Sequence, residues 1–492
     1  MTATAKKEDA GNYAGAPLTG VFSERQIESG YEPLTPVYGQ LPPDFPDGHL
    51  YYSAQTKHER DDGTVMATIF CGDGGITGLR FQKGQVSGAY RFIMSDDFKH
   101  EEKKGIRLAR FGTPGSSKFA GRLGGLANQA NTNILWWRDR PYGLCEGGLP
   151  VEIDPETLDS IGDTDFDGVI KGAFSAHYHT HVDGDIYNFG LRHYPVVGTM
   201  IDLYRLDKQG KIARLASFRL PWPHMQHDFG LSENHAIFYV APIKFNIGKV
   251  VRGYTLDESL EFGRVGAQLI VVPLKNPQNI FRVDFPKEKG LVWHPANAFE
   301  EDGKIILDYF HYDDPKQSFL WVRNVHTGRV PRLDPSRIIR VTIDVTQKTA
   351  EQKVLLTEAA GEFPIVADSV RCARYRYLYS ITFSDYDKGE GVALWDLVSK
   401  FDLGDEKNVT RQNLSFGGAH PSEPLFVRKT GAKNEDDGYL VTRLYYPPKR
   451  AGELSRGEIA VIDARKLEVV ARYALKERMT TMVFHGVWCP EK

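Results

Sequence analysis

Four short stretches of this 492-residue chain place histidines where they could share a metal ion. The densest is Phe174-Ser175-Ala176-His177-Tyr178-His179-Thr180-His181-Val182-Asp183-Gly184. Read as a strand, its two-residue period puts His177, His179 and His181 on one face, and such a face can bind metal. No nearby Cys or Glu completes a tetrahedral zinc set, so further ligands must come from distant parts of the chain. Three other histidines stand in compact contexts: His227 in Met225-Gln226-His227-Asp228-Phe229, His294 in Trp293-His294-Pro295-Ala296-Asn297-Ala298-Phe299-Glu300, and His485 in Phe484-His485-Gly486-Val487-Trp488. The total of 15 histidines argues little by itself, because a histidine taken singly is more often structural or exposed than a ligand.

Residues so far apart need a scaffold that returns the chain repeatedly to one place. Gly78–Ile93 reads as two strands around Lys83-Gly84, and Leu203–Leu220 as two more around Gln209-Gly210. His235–Ile243, Ala267–Leu274, Lys304–Tyr312, Arg337–Asp344, Tyr375–Ser384, Gly438–Pro447 and Gly457–Leu475 continue the pattern, with turn-forming residues between them. The runs reach almost to the C-terminus without an obvious linker, which predicts one closed or radial all-β architecture over 31–492 after a flexible segment, 1–30. Two stretches break the rhythm, Phe98–Ala127 and Phe245–Val265, and read as insertions that are lids, binding loops or plain connections.

Composition agrees with a turn-rich globular chain: 41% hydrophobic, 12% aromatic, 48 Gly and 27 Pro. A formal charge of -3 leaves no basic excess to track phosphates, which argues against nucleic acid as a partner. Four scattered cysteines, Cys71, Cys145, Cys372 and Cys489, form no CxxC pair and are expected as free thiols in a reducing compartment. Met1 to Pro17 lacks the apolar core of a signal peptide, no apolar run is long enough to cross a bilayer, and Pro490-Glu491-Lys492 lacks the aliphatic pair of a prenylation box. The expected location is the cytosol.

In their order and spread, the histidine contexts resemble the carotenoid cleavage oxygenase family, which includes stilbene-cleaving and retinoid-isomerase members. Other segments carry the same resemblance: Asn131-Thr132-Asn133, Glu146-Gly147-Gly148-Leu149-Pro150, Asp154-Pro155-Glu156-Thr157-Leu158, Tyr187-Asn188-Phe189-Gly190, Glu362-Phe363-Pro364, Pro421-Ser422-Glu423-Pro424-Leu425-Phe426-Val427 and Asp436-Asp437-Gly438-Tyr439. The resemblance implies a seven-bladed β-propeller with loop and helical insertions capping the iron face, and one Fe(II) on the axis held by His177, His227, His294 and His485. The spacing to Asp183-Gly184 and Tyr187-Asn188 selects His177 as first ligand; a slip of two residues would select His179 and keep the same face. Glu146, Glu362 and Glu423 match the family's outer-shell glutamates and are expected behind His227, His294 and His485, leaving His177 without one. A held second nitrogen fixes the tautomer and direction of a ligating ring.

The activity implied is cleavage of a conjugated C=C bond of a carotenoid-like or apocarotenoid-like substrate by O2, giving two carbonyl products. No catalytic side chain is expected beyond the iron shell. Trp136, Phe174, Tyr178, Phe363 and Phe484 flank the motifs and are candidates to line an apolar tunnel, as is Trp137; core packing is the plain alternative for each. The sequence departs from the family in three places. Phe70-Cys71-Gly72-Asp73-Gly74 stands for the usual Phe-Asp-Gly-Asp-Gly, Tyr178 for the proline after the first ligand, and Cys145 for the lysine that stilbene cleavers use to bind a phenol. A thiol cannot supply that charge, which favours the apocarotenoid reading over a stilbene or 4-hydroxystyrene substrate. A non-oxidative isomerase or hydrolase and a lipid-binding propeller are further readings, and apolar substrates suggest peripheral membrane contact.

Overall fold

In the computed structural model, the described residues are 26–57, 68–106, 108–110, 126–194, 198–285, 287–324, 335–384, 394–448, 453–476 and 483–491. Their strands form seven antiparallel blades, with a small separate hairpin. The first blade joins the two ends of the chain. Its innermost strand is Gly486–Pro490, followed outward by Gly48–Thr56, Asp73–Gln82, Gln85–Phe92 and Ser29–Pro33. Blades two to six follow in chain order, with innermost strands Asn133–Trp137, His179–Thr180, Gly230–Leu231, Pro295–Glu301 and Gly361–Ile365. The seventh is built on Gly438–Tyr446 and Arg456–Asp463, with His420–Pro421 at its inner edge and Thr35–Gly39 at its outer edge. Of the segment expected to be flexible, residues 1–25 lie outside the described residues, and Ser29 and Gly30 already belong to a strand.

Local chemistry accounts for the hairpins. Lys83 (φ 49°) and Gly84 (φ 76°) both take the left-handed region that a two-residue turn matched to strand twist requires. The middle strands of a blade are covered on both faces, so Lys304–His311 and Gly438–Tyr446 are buried almost throughout and mostly apolar, with Asp308, His311, Thr442 and Arg443 as the buried polar exceptions. Outer strands such as Thr410–Ser415 are largely exposed and polar. The core is accordingly divided among seams between blades. Leu50, Tyr52 and Leu79 of the first blade meet Val441 and Val461 of the seventh, for example, and Ile237 and Val271 of the fourth meet Leu307 and Val341 of the fifth. Comparable clusters fill the other five seams.

The insertions have structure of their own. The fourth blade carries the hairpin Ile243–Phe245 and Leu260–Phe262 and the helix Ile247–Val251, within the stretch where strand rhythm fails. The fifth blade carries the helix Pro315–Asn324, which the sequence reading did not single out. Phe319 of this helix packs on Phe262 at 5.6 Å and on Trp293 at 5.2 Å, so the two insertions cover the face on which His294 lies. Between the first two blades runs the helix Asp96–Lys104, capped by the Ser95 hydroxyl, which accepts from Phe98 N, and stopped by Gly105 at φ 62°. Residues 111–125 of the insertion that follows lie outside the described residues.

Candidate metal centre

His485 directly precedes the innermost strand of the first blade and His294 that of the fifth, while His177 and His227 stand two or three residues before those of the third and fourth. All four are thus delivered at one end of the axis. The ring of His177 lies 4.3 Å from that of His227, 4.9 Å from His294 and 4.7 Å from His485, and His294 is 4.9 Å from both His227 and His485. Glu146 comes from the second blade, Glu362 from the sixth and Glu423 from the seventh, so each of the seven blades contributes one histidine or glutamate.

The carboxylates address the outer nitrogens. Glu362 Oε2 is 2.5 Å from His294 Nδ1, Glu423 Oε1 is 2.9 Å from His485 Nδ1, and a Glu146 oxygen is in contact with His227 Nδ1. A carboxylate accepts, so these Nδ1 atoms carry the protons and the Nε2 atoms are left as lone-pair donors. Among the described residues the carboxylate facing His177 Nδ1 is Asp228, at 3.9 Å.

His177 and its neighbours do not share a strand face. The strand there is only His179–Thr180, and the rings diverge. His179 Nε2 bonds Asp228 Oδ1 at 2.8 Å, and His181 reaches Glu233 O at 2.9 Å and Asp183 Oδ1 at 2.8 Å. Only His177 joins the cluster. Its segment is irregular because side-chain amides occupy its carbonyls: Asn133 Nδ2 donates to Ala176 O and Asn188 Nδ2 to Ser175 O, each at 2.9 Å. In the first blade, Ser53 Oγ donates to the carbonyls of Thr132 and His485. These contacts give the Asn131-Thr132-Asn133 and Tyr187-Asn188 segments their place in the site.

The donor set fits a divalent ion. His227 Nε2 and His294 Nε2 face each other at 3.1 Å, two lone pairs that repel without a positive charge between them. Nitrogens bound to one ion at roughly 2.1 Å and at right angles stand about 3.0 Å apart. His177 Nε2 is buried and has no hydrogen-bond partner among the described residues. Burial, reinforced by the neighbouring rings, holds His177 and His294 well below the usual histidine range, so both are neutral lone-pair donors near pH 7. Burial opposes protonation of His227 as well, but the Glu146 carboxylate outweighs it. Burial and the nearby Asp228 and Glu423 charges push Glu362 up to about 8.

Aromatic side chains enclose this end of the axis. Phe363 lies 5.3 Å from His294 and 4.9 Å from His485, with Phe484 stacked parallel to it at 6.5 Å. Trp293 stands edge-on to His227 at 5.0 Å, and Phe70 touches both Trp293 and Phe484. A narrow cavity of about 20 Å³, room for about one water, opens beside His227 and is bounded by Trp293, Phe319, Ile243 and Phe245. Of the tunnel candidates, Phe363 and Phe484 border the cluster, whereas Trp136, Phe174 and Tyr178 do not line this cavity. Trp136 stacks on Tyr51 at 5.6 Å, Phe174 is enclosed by Phe166 and Tyr204, and the Tyr178 hydroxyl donates to Ile134 O at 3.0 Å. They lie in the seams because they sit next to the motifs in sequence and not across the axis from them. Trp137 likewise bonds Asp207 O. Sequence adjacency to His294 could have singled out Trp293, but nothing in the helix Pro315–Asn324 announces Phe319.

Comparison with known proteins decides the lineage. A family model described as retinal pigment epithelial membrane protein matches residues 23–490. The chain belongs to this family, the carotenoid cleavage oxygenases. Among the relatives of this oxygenase, an apocarotenoid-15,15'-oxygenase of Synechocystis is 31% identical over 92% of each chain. A lignostilbene-alpha,beta-dioxygenase of Sphingomonas paucimobilis is 26% identical over 96% of each. The oxygenase also superimposes on the solved structure of a cobalt-substituted Synechocystis apocarotenoid oxygenase with a TM-score of 0.81, at 28% identity, covering 96% of this chain and 98% of that one.

Proposed function

We propose that this oxygenase cleaves a conjugated C=C bond of an apolar, apocarotenoid-like substrate with O2, at one Fe(II) held by His177, His227, His294 and His485. One oxygen atom enters each of the two carbonyl products, so the reaction balances without gain or loss of a proton. The observation that carries the reading is the convergence of four imidazoles with three Nδ1 atoms backed by carboxylates. When bound, iron supplies the redox-active site for O2 that no side chain provides. Glu146, Glu362 and Glu423 hold the ring protons outward and aim the lone pairs inward. Trp293, Phe363 and Phe484 exclude water and hold the alkene beside the centre.

Cys145 supports a polyene over a phenol. Its thiol is buried 3.2 Å from Asn128 Oδ1, and burial raises its pKa, so no charge is available there to fix a phenolate. Among the described residues no helix is long and apolar enough to cross a membrane. Peripheral contact is assigned to the cap, where Ile247, Val251, Tyr254 and Leu320 are exposed beside Arg252. Val251→Glu is expected to lower cosedimentation with anionic lipid vesicles several-fold; unchanged cosedimentation would remove the cap from this role.

The deciding experiment is metal content after ferrous loading and desalting under nitrogen, followed by oxygen uptake with an apocarotenal. One iron per chain, lost in His227→Ala and in His485→Ala, with two carbonyl products per O2 consumed, is expected. Iron that is not retained by the wild type refutes the reading.

A further inference from the structure

Between the sixth and seventh blades the apolar seam gives way to an open polar cleft of about 630 Å³, within the range of small-molecule sites. Tyr377, on its wall, starts the strand Tyr377–Thr382, and it is Ile381 near the other end of that strand that pairs with Glu362. Four residues at about 3.3 Å each set the cleft roughly 13 Å along the blade from the level of the histidine cluster. One wall is a ladder of side chains on a single face of the sixth blade: Tyr377, Asp402 and Thr410 stand opposite one another across three strands, with Lys400 and Gln412 paired in the row behind. The other wall is the loop of the seventh blade that carries Asn434, Glu435 and Asp436, with Arg465 from the turn after Arg456–Asp463. Among the described residues three cations and three carboxylates line the cleft. Arg376 Nε and Nη2 donate to Asp402 at 2.8 and 2.6 Å, Lys400 Nζ donates to Asp436 at 2.8 Å, and Arg465 donates to Asp436 at 3.3 Å and meets Asp437 at 2.6 Å. Glu435 accepts from the backbone N–H groups of Arg376 and Tyr377. Lys400 is 5% and Asp436 6% exposed, so this charge array is built into the wall. The capacity left over belongs to Arg376 Nη1, the hydroxyls of Tyr377 and Thr410 and the Gln412 amide, which have no hydrogen-bond partner among the described residues.

We infer that this cleft is a second binding site, separate from the metal centre, for an uncharged polyhydroxylated ligand: a sugar of one or two rings. An anion entering it meets Asp402, Glu435 and Asp436, and a cation meets Arg376, Lys400 and Arg465. Neither finds a counter-charge that is not already engaged, and pulling a partner out of a buried pair leaves the other charge unmet. A hydroxyl group donates and accepts at once, so a ring carrying several can bond the free guanidinium edge and the outward carboxylate lone pairs together while every pair in the wall stays intact. Hydrogen bonds to charged groups are the stronger kind, which suits a ligand that brings no charge of its own. An apolar polyene gains nothing from such a wall, so the site is independent of the cleavage reaction.

The test is saturation-transfer difference NMR of the full-length protein with D-glucose, D-galactose, maltose and sucrose, and with glucose 6-phosphate and choline as charged probes. At least one neutral sugar is expected to give a saturable signal and to bind at least about fivefold more tightly than either charged probe. Gln412 is exposed on an outer strand, so Gln412→Trp fills the cleft without disturbing the core; it is expected to weaken the sugar at least about tenfold while leaving the melting temperature and ferrous retention unchanged. Gln412→Ala, which removes only the amide, is expected to cost a few-fold. Silence from all four sugars in the wild type, tighter binding of a charged probe, or a sugar signal that survives in Gln412→Trp each overturns the inference. The wild-type comparison decides the matter even if a variant does not fold.

Discussion

Glu362 is buried and accepts from His294 Nδ1 and from the backbone N–H of Phe363 at 2.7 Å. Burial and the neighbouring Asp228 and Glu423 carboxylates disfavour its charge, and a cation on the ring it holds would favour it. Glu362→Gln keeps the shape and removes the charge, and is expected to weaken ferrous retention by roughly 10–100-fold, measured by anaerobic metal titration. The melting temperature of the metal-free variant should be no lower than that of the wild type, because the native protein without a cation gains nothing from this charge. Asp228 differs from the three glutamates. It is already engaged by His179 and by Phe229 N at 2.7 Å, and stands 3.9 Å from His177, so Asp228→Asn should cost less metal affinity than Glu362→Gln in the same titration.

At the scale of the element, the segments before the inner strands must be held without regular ladders. Gly190 lies where a Cβ would come within 2.0 Å of the Ala173 carbonyl, in the chain leading to His177. Gly190→Ala is expected to cost about 2 kcal/mol or more, read from the midpoint of urea unfolding, because the obstacle is backbone and cannot rotate away. Glu300, next to last in the strand that begins after His294, ties the fifth blade to the fourth through Ser232, Asn234 and His235. Burial opposes its charge, but the hydrogen bonds from His235, Ser232 and Asn234 outweigh it and hold the carboxyl down to about 2. A depressed carboxyl stabilises the fold above its unfolded pKa near 4.5, and that contribution is lost as pH falls towards 2. Its full size is roughly 1–3 kcal/mol, discounted for partial exposure. Urea midpoints between pH 6 and pH 3 should fall less steeply in Glu300→Gln than in the wild type.

For the whole molecule, closure of the ring is the decisive contact. Gly486–Pro490 pairs with Gly48–Thr56, so the last strand of the chain completes the first blade and carries His485 to the axis. Trp488 also packs on Phe45 and Phe81. A chain ending at His485 retains all four histidines yet loses this pairing. It is expected to lose its cooperative calorimetric transition and its ferrous binding together; a truncated protein that still binds one iron would show that the centre does not depend on closure.

The sequence by itself determined that strands recur to the end of the chain, because middle strands buried on both faces are mostly apolar and hairpin turns require residues tolerant of positive φ. Motif context grouped His227 with Glu146, His294 with Glu362 and His485 with Glu423, and the structure places each of these pairs in contact. The sequence did not decide the direction of a side chain. His177, His179 and His181 are equivalent by period, and only the amides of Asn133 and Asn188, brought from other strands, make their segment irregular and separate His177 from its neighbours. Nor did it decide what lines the cavity. Trp136, Phe174 and Tyr178 adjoin the motifs but are drawn into the seams between blades, whereas Phe319 reaches the roof from an insertion of another blade. A cavity is bounded by whatever lies across it, and contacts across an axis have no period along the chain.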